Sequence, residues 1–176
     1  MASNSNVTLL LGKPGTGKSS FIKQLMVCHG LEDKGIIICD RDDVIEHPSF
    51  ITRIQGLSKD SLLVIEDADA LIGARTAGNT KMAGLLNMLS GTIQNDVKVV
   101  ITTNLPTLKS VDEALLRPGR TFASLEFKSL IGEQVNVARA LIDLPAIDVD
   151  GDEEMTLAEA LNHNEGARRK TPLGFV

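Results

Sequence analysis

Tryptophan and tyrosine are absent, and aromatic residues make up 3% of the chain. That removes the platforms on which single-stranded nucleic acid is usually stacked. Positive charge is also short. Lys and Arg number 18 against 23 Asp and Glu, a formal net charge of −5. The overall field therefore supports neither nucleic acid nor an anionic membrane as a partner. Cysteine is limited to Cys28 and Cys39. No disulfide framework is expected, a reducing compartment is, and each thiol reads first as core packing. No apolar run approaches the roughly 20 residues of a spanning helix, and Met1 to Asn6 lack the charged and apolar regions of a signal peptide. The expectation is a cytoplasmic protein with no membrane partner. At 176 residues the chain suits one domain with a real core and room for a small appendage.

What is present begins with Gly12-Lys13-Pro14-Gly15-Thr16-Gly17-Lys18-Ser19, which fits the phosphate-loop pattern G-x-x-x-x-G-K-[ST]. Glycines let the backbone wrap a polyphosphate with its N–H groups inward. Lys18 can reach the β- and γ-phosphates, the Ser19 hydroxyl can ligate Mg²⁺, and the following helix aims its positive end at the anion. The context agrees. Val7 to Leu11 reads as a buried strand, and Phe21, Ile22, Leu25 and Met26 form a helical stripe that Gly30 would stop. The nucleotide-binding set is Gly12, Pro14, Gly15, Thr16, Gly17, Lys18, Ser19 and Ser20.

Further on, Gly35 to Asp40 and Leu62 to Ile65 are short, continuous apolar runs, and Val97 to Thr103 reads as a fourth strand. Helical patterns separate them, one from Pro48 bearing Phe50, Ile51, Ile54 and Leu57, another bearing Met82, Leu85, Leu86 and Leu89. Asn79 or Thr80 would cap the second and Ser90-Gly91 would end it. Leu125 to Phe127 reads as a fifth strand. Strands without alternation, separated by helices, predict a five-stranded parallel sheet sandwiched by helices, an α/β fold.

The run Leu62 to Ile65 is followed by Glu66-Asp67. Four apolar residues followed by paired carboxylates match the Walker B pattern, and a parallel strand delivers its carboxyl end to the phosphate side of the sheet. One carboxylate there can serve Mg²⁺ and the other can orient or deprotonate water. The usual order is Asp then Glu, reversed here. Glu66 serving the metal and Asp67 the water is the preferred reading. Asp67 serving the metal with Glu66 behind it is another, and a charge cluster capping the next helix is a third. Asn104, at the end of the strand Val97 to Thr103, could orient water beside a γ-phosphate. Alone it would more often be a turn residue. Arg117-Pro118-Gly119-Arg120 reads as a basic surface bend.

These segments together resemble the AAA family of ATPases. The resemblance spans about Val7 to Phe127 and is carried by GKPGTGKS, LLVIEDADAL, VVITTN and ALLRPGR, in the family's order. The Glu-Asp order and NTKMAGLLNMLSG before ITTN look most like the branch of the mitochondrial complex III assembly chaperone. The resemblance implies a phosphate-loop NTPase using ATP and Mg²⁺. Lys18 and Ser19 would hold phosphate and metal, with Ser19 and Glu66 as the metal set. Glu66 and Asp67 would fill the metal and water-activating positions, Asn104 would sense the γ-phosphate, and Arg117 and Arg120 would be arginine fingers entering a neighbouring subunit's site. A homo-oligomer, a hexameric ring as is usual in the family, follows.

The remainder departs from the family. Residues 1–128 are expected as the ATPase core and 129–176 as a helical lid abbreviated to about two helices, with a tail. Val135, Ala138, Leu141 and Ile142 have helical spacing, Asp148 to Glu154 is an acidic linker without calcium-loop register, and Thr156-Leu157-Ala158-Glu159 is a capping box. Arg168-Arg169-Lys170 reads as a solvated tail. No second sensor arginine is evident, and Arg41 to Pro48 lacks the aromatic that threading members carry. No recruiting domain is expected before the first strand, so selectivity would lie with an unidentified protein substrate or adaptor. The function expected is an oligomeric ATPase that remodels or assembles a protein or nucleoprotein complex. The alternatives are a nucleotide-gated scaffold with incidental turnover and a small-molecule kinase of the phosphate-loop class.

Overall fold

The structure is a computed structural model that describes residues 5–28, 35–45, 47–59, 61–74, 81–94 and 97–163. It falls into two compact units. The first contains residues 1–12 and 18–127, and the second residues 13–17 and 128–176.

The first unit is built on a five-stranded sheet of order β2-β3-β4-β1-β5, all neighbours parallel. Its strands are β1 (Val7–Leu11), β2 (Ile36–Cys39), β3 (Leu62–Ile65), β4 (Lys98–Thr103) and β5 (Thr121–Glu126). The central strands are apolar on both faces because helices cover both. All four residues of β3 are buried, and so are five of the six in β4. Each fully buried Leu or Ile contributes about 1.5–3 kcal/mol by leaving water. The larger core gathers Leu9, Leu63, Ile65 and Ile101 under Met82, Leu85 and Leu89, while a smaller cluster joins Leu10, Val64 and Ile22. Met82 and Met88 are both buried in the larger core.

The helices of this unit are α1 (Lys18–Cys28), α2 (Pro48–Gln55), the single turns α3 (Asp69–Ile72) and α5 (Glu113–Leu116), and α4 (Lys81–Gln94). Pro48 opens α2 where its missing N–H is not needed, and Gly56 closes it. On α1 only Ile22 of the expected apolar stripe is fully buried, and Phe21 instead meets Phe127 edge to face at 5.6 Å. The expected stop at Ser90-Gly91 does not occur. Ser90 Oγ donates to the Leu86 carbonyl at 2.8 Å, which satisfies the hydroxyl inside the helix, and α4 runs on to Gln94. β5 starts four residues earlier than expected, at Thr121. Gly30, the Asn79 and Thr80 caps and the Arg168 to Lys170 triplet lie outside the described residues.

The second unit holds α6 (Glu133–Ala140), α7 (Leu157–Asn162) and an unforeseen antiparallel pair, β6 (Leu130–Ile131) with β7 (Glu154–Met155). Its core is Val135, Met155 and Ala160. The expected stripe on α6 is corrected: Leu141 and Ile142 are exposed, and Arg139 is buried in their stead. Its guanidinium donates to the carbonyls of Pro145 and Ala160, which makes burial of the cation tolerable. The capping box is formed in full, Thr156 Oγ1 accepting from Glu159 N while Glu159 accepts from Thr156 N. Those bonds hold the Glu159 carboxyl below its usual range. The acids of the linker are exposed, and among the described residues no three His, Cys, Asp or Glu side chains gather as a metal site.

Candidate active site

Strand order brings the chemistry together. β4 lies between β3 and β1, so Glu66-Asp67, Asn104 and Gly12 leave the sheet side by side at its carboxyl edge. Gly12 N donates to Thr103 O at 3.2 Å and Ala68 N to Thr102 O at 2.9 Å, which fixes the three exits to one another.

Lys18 opens α1 and is 6% exposed. Its ammonium donates to Gly12 O at 2.6 Å and to Asn104 Oδ1 at 2.9 Å. Burial pulls the Lys18 pKa below its ordinary value, and the charges of Asp67 and Asp69 oppose that shift. Ser19 Oγ donates to Glu66 Oε1 at 2.8 Å. Asn104 Nδ2 donates to Asp67 Oδ1 at 3.1 Å. The two acids thus have different partners, Glu66 the hydroxyl and Asp67 the amide.

Asp67 is a non-glycine residue with φ of 50°, a left-handed backbone that Asp tolerates better than most. Its N–H is held by Thr102 Oγ1 at 2.9 Å. Neither acid caps the next helix. The N-cap of α3 is Ala68, which makes no side-chain cap bond.

One participant was missed from sequence. Asp69, in the first turn of α3, accepts from Thr103 Oγ1, from Asn104 N at 2.7 Å and from Asn104 Nδ2 at 3.2 Å. Burial pushes the Asp69 pKa up, but these bonds and the Lys18 charge together outweigh it and hold the carboxyl below its usual range. The signal was available as a third acid two residues beyond the pair, in IEDAD.

The loop crown, residues 13–17, belongs to the second unit. Gly15 and Gly17 have φ of 80° and 102°, where a side chain would be strained. A Cβ on Gly15 would also come within 3.2 Å of Thr156 Oγ1 and Ala158 Cβ, and one on Gly17 within 3.0 Å of Leu157 Cδ2. Ala158 N donates to Gly15 O at 2.9 Å, and Lys13 Nζ meets Glu154 Oε2 at 3.4 Å. Thr16 Oγ1 turns back to Lys13 O at 2.8 Å. Pro14 and Ser20 are exposed.

The two arginines differ. Arg117 follows α5 and is exposed, at a cleft of about 390 Å³ lined also by Lys109, Asp112 and Glu113. Arg120 is half-buried, and its Nη1 donates to Ala114 O at 2.5 Å within its own chain. Thr121 Oγ1 adds a bond to Leu115 O at 2.8 Å, so the bend is tied back onto α5.

The donor set suits Mg²⁺ and a polyphosphate. A hydroxyl and a carboxylate oxygen already in contact are hard ligands of the kind Mg²⁺ takes, and Lys18 is held at the start of a helix.

Comparison with known proteins agrees with this chemistry. A family model described as "ATPase family associated with various cellular activities (AAA)" matches residues 8–129. A probable mitochondrial chaperone bcs1 of Schizosaccharomyces pombe is 32% identical over 142 residues, covering 72% of this chain and 29% of that protein. The mitochondrial chaperone BCS1 of Danio rerio is 32% identical over 140 residues, 70% of this chain and 31% of that one. The 26S proteasome regulatory subunit 4 homolog B of Arabidopsis thaliana is 28% identical over 173 residues, 89% and 36%. The chain therefore spans about a third of the length of these relatives. The expected cytoplasmic location is overturned by the same finding, because the relatives matched at 32% identity are mitochondrial chaperones. Among the described residues no helix is long and apolar enough to cross a membrane.

Proposed function

The chain belongs to the AAA family of ATPases, whose domain binds and hydrolyses ATP with Mg²⁺, and from that premise we propose that it is one subunit of an oligomer that remodels or assembles a protein or nucleoprotein complex. Residues 1–128 form the ATPase core in this reading, and 129–176 the lid and tail. AAA proteins typically form rings, and a homo-oligomeric ring, hexameric by analogy, is the assembly proposed. The mitochondrial chaperones and proteasome subunits among its relatives support a protein partner. The small-molecule kinase alternative falls with the family assignment.

The observation that carries the reading is the split between the two acids. Glu66 contacts the Ser19 hydroxyl, and Asp67 contacts Asn104. Ser19 and Glu66 would therefore hold Mg²⁺, which when bound supplies Lewis-acid polarisation of phosphate oxygens. Lys18 would leave Gly12 O and Asn104 to bind the β- and γ-phosphates. Asp67 would take the proton of the attacking water, and Asn104 would hold that water or the γ-phosphate by its amide. Among the described residues no guanidinium belongs to the strand-end cluster, and the charge that develops on the transferred phosphoryl group calls for a cation. Arg117 of the neighbouring copy is proposed for that task. Arg120 is given the supporting one of holding the bend, because its Nη1 is already engaged with Ala114 O.

ATP turnover measured for wild type and Asp67→Asn tests the reading. The expected result is retained ATP binding with turnover slowed about 10²-fold or more. Equal turnover in a folded Asp67→Asn protein would remove Asp67 from the mechanism.

A further inference from the structure

We propose that Asp69 is a positioning residue for ATP hydrolysis, fixing the orientation of the Asn104 side chain so that its N–H groups face Asp67. The inference rests on the ATPase reading and adds a residue to it. An amide has two nearly identical ends, and only its partners decide which faces where. At Asn104 the oxygen faces the Lys18 ammonium, while the nitrogen faces Asp67 and Asp69. The reverse orientation would set a carbonyl against two carboxylates and an amide N–H₂ against a cation. Asp67 alone is a poor anchor. It is exposed and is assigned to take a proton from the attacking water. Asp69 is less exposed and is bonded by the buried Thr103 and by the Asn104 backbone as well as its side chain. It can hold the amide while Asp67 does chemistry.

The test is a cycle of Asp69→Asn, Asn104→Ala and the double variant. Asparagine keeps an acceptor for Thr103 and the Asn104 N–H but places a second donor against Asn104 Nδ2, which favours the flipped amide. Asp69→Asn is expected to lower kcat by about tenfold or more, the scale of a lost charge-assisted bond, with KM and ATP affinity nearly unchanged. In the Asn104→Ala background the same substitution is expected to add nothing. Asp69→Glu, which keeps both acceptor oxygens, is expected to retain more turnover, and Asp69→Ala replaces Asp69→Asn in the cycle if that variant does not fold. Unchanged kcat, or a full independent loss in the Asn104→Ala background, would overturn the proposal. A second readout does not depend on turnover. The Asn104 side-chain amide followed by ¹⁵N NMR is expected to exchange slowly in wild type and fast in Asp69→Asn. Identical exchange in both would overturn the positioning role, whereas absence of ATP turnover in wild type with the amide difference intact would overturn the ATPase reading alone.

Discussion

Within the first unit, two regions handle charge in opposite ways. At the carboxyl edge of the sheet, Lys18, Ser19, Glu66, Asp67, Asp69 and Asn104 all bond to one another or to nearby backbone. At the end of α5, Arg120 and Thr121 bond back to the carbonyls of Ala114 and Leu115 and thereby brace a bend on which Arg117 stays exposed. The first region is a hydrogen-bonded polar cluster proposed to hold phosphate and metal. The second invests its hydrogen bonds in the scaffold and leaves one cation outward. An exposed cation on a braced bend is suited to a target outside its own chain, which is the property a shared site needs.

The largest effect should come from emptying the first region. Lys18→Ala removes the cation that meets the phosphates, and ATP·Mg²⁺ binding is expected to fall below detection by calorimetry. Unchanged affinity in a folded protein would break the comparison at its root. Next, the two arginines should separate. Arg117→Ala is expected to lower turnover on the order of 10³-fold with its thermal midpoint unchanged. Arg120→Ala is expected to cost about 1 kcal/mol of stability through the lost bond to Ala114 O, with a smaller loss of turnover. Equal losses of turnover from both, with no change in stability, would erase the distinction between them.

The acid pair sharpens the first region. Asp67→Asn should slow hydrolysis about 10²-fold while ATP stays bound, whereas Glu66→Gln should first raise the Mg²⁺ concentration needed for half-maximal turnover. Exchanged phenotypes would exchange the two roles. The smallest effect is expected from Thr102→Val, which keeps the shape of the strand and removes only the acceptor for the Asp67 N–H. About 1 kcal/mol is at stake, so turnover should fall a few-fold with ATP affinity intact. A loss as large as that of Asp67→Asn would mean that the left-handed backbone at Asp67 depends on this one bond.

Local chemistry made much of this legible from sequence. The glycines and Lys18 need their spacing, the apolar runs need burial on both faces, and Thr156 with Glu159 forms a cap that requires only four residues. Long-range choices were not legible. Arg139 is buried because two carbonyls from other segments converge on it, and no local pattern announces that. Leu141 and Ile142 kept the helical spacing, but α6 ends at Ala140 before they could extend its buried face. Ser90-Gly91 looked like a stop, yet the Ser90 hydroxyl found an acceptor one turn back. Asp69 escaped notice because the paired acids already explained the strand end, and only the strand order places Thr103 and Asn104 against it. The difference between Arg117 and Arg120 could not be read either, since Pro-Gly bends both and only the contact with Ala114 tells them apart.

The central claim, that one copy completes another's site, is tested most directly by mixing two inactive proteins. Arg117→Ala retains the phosphate loop, and Lys18→Ala retains the finger. Titrating one into the other at fixed total protein, with sizing to establish mixed oligomers, should restore part of the ATP turnover, greatest near equal amounts. Mixed oligomers with no recovered turnover, together with wild-type specific activity that stays constant on dilution to the monomer, would contradict the shared site.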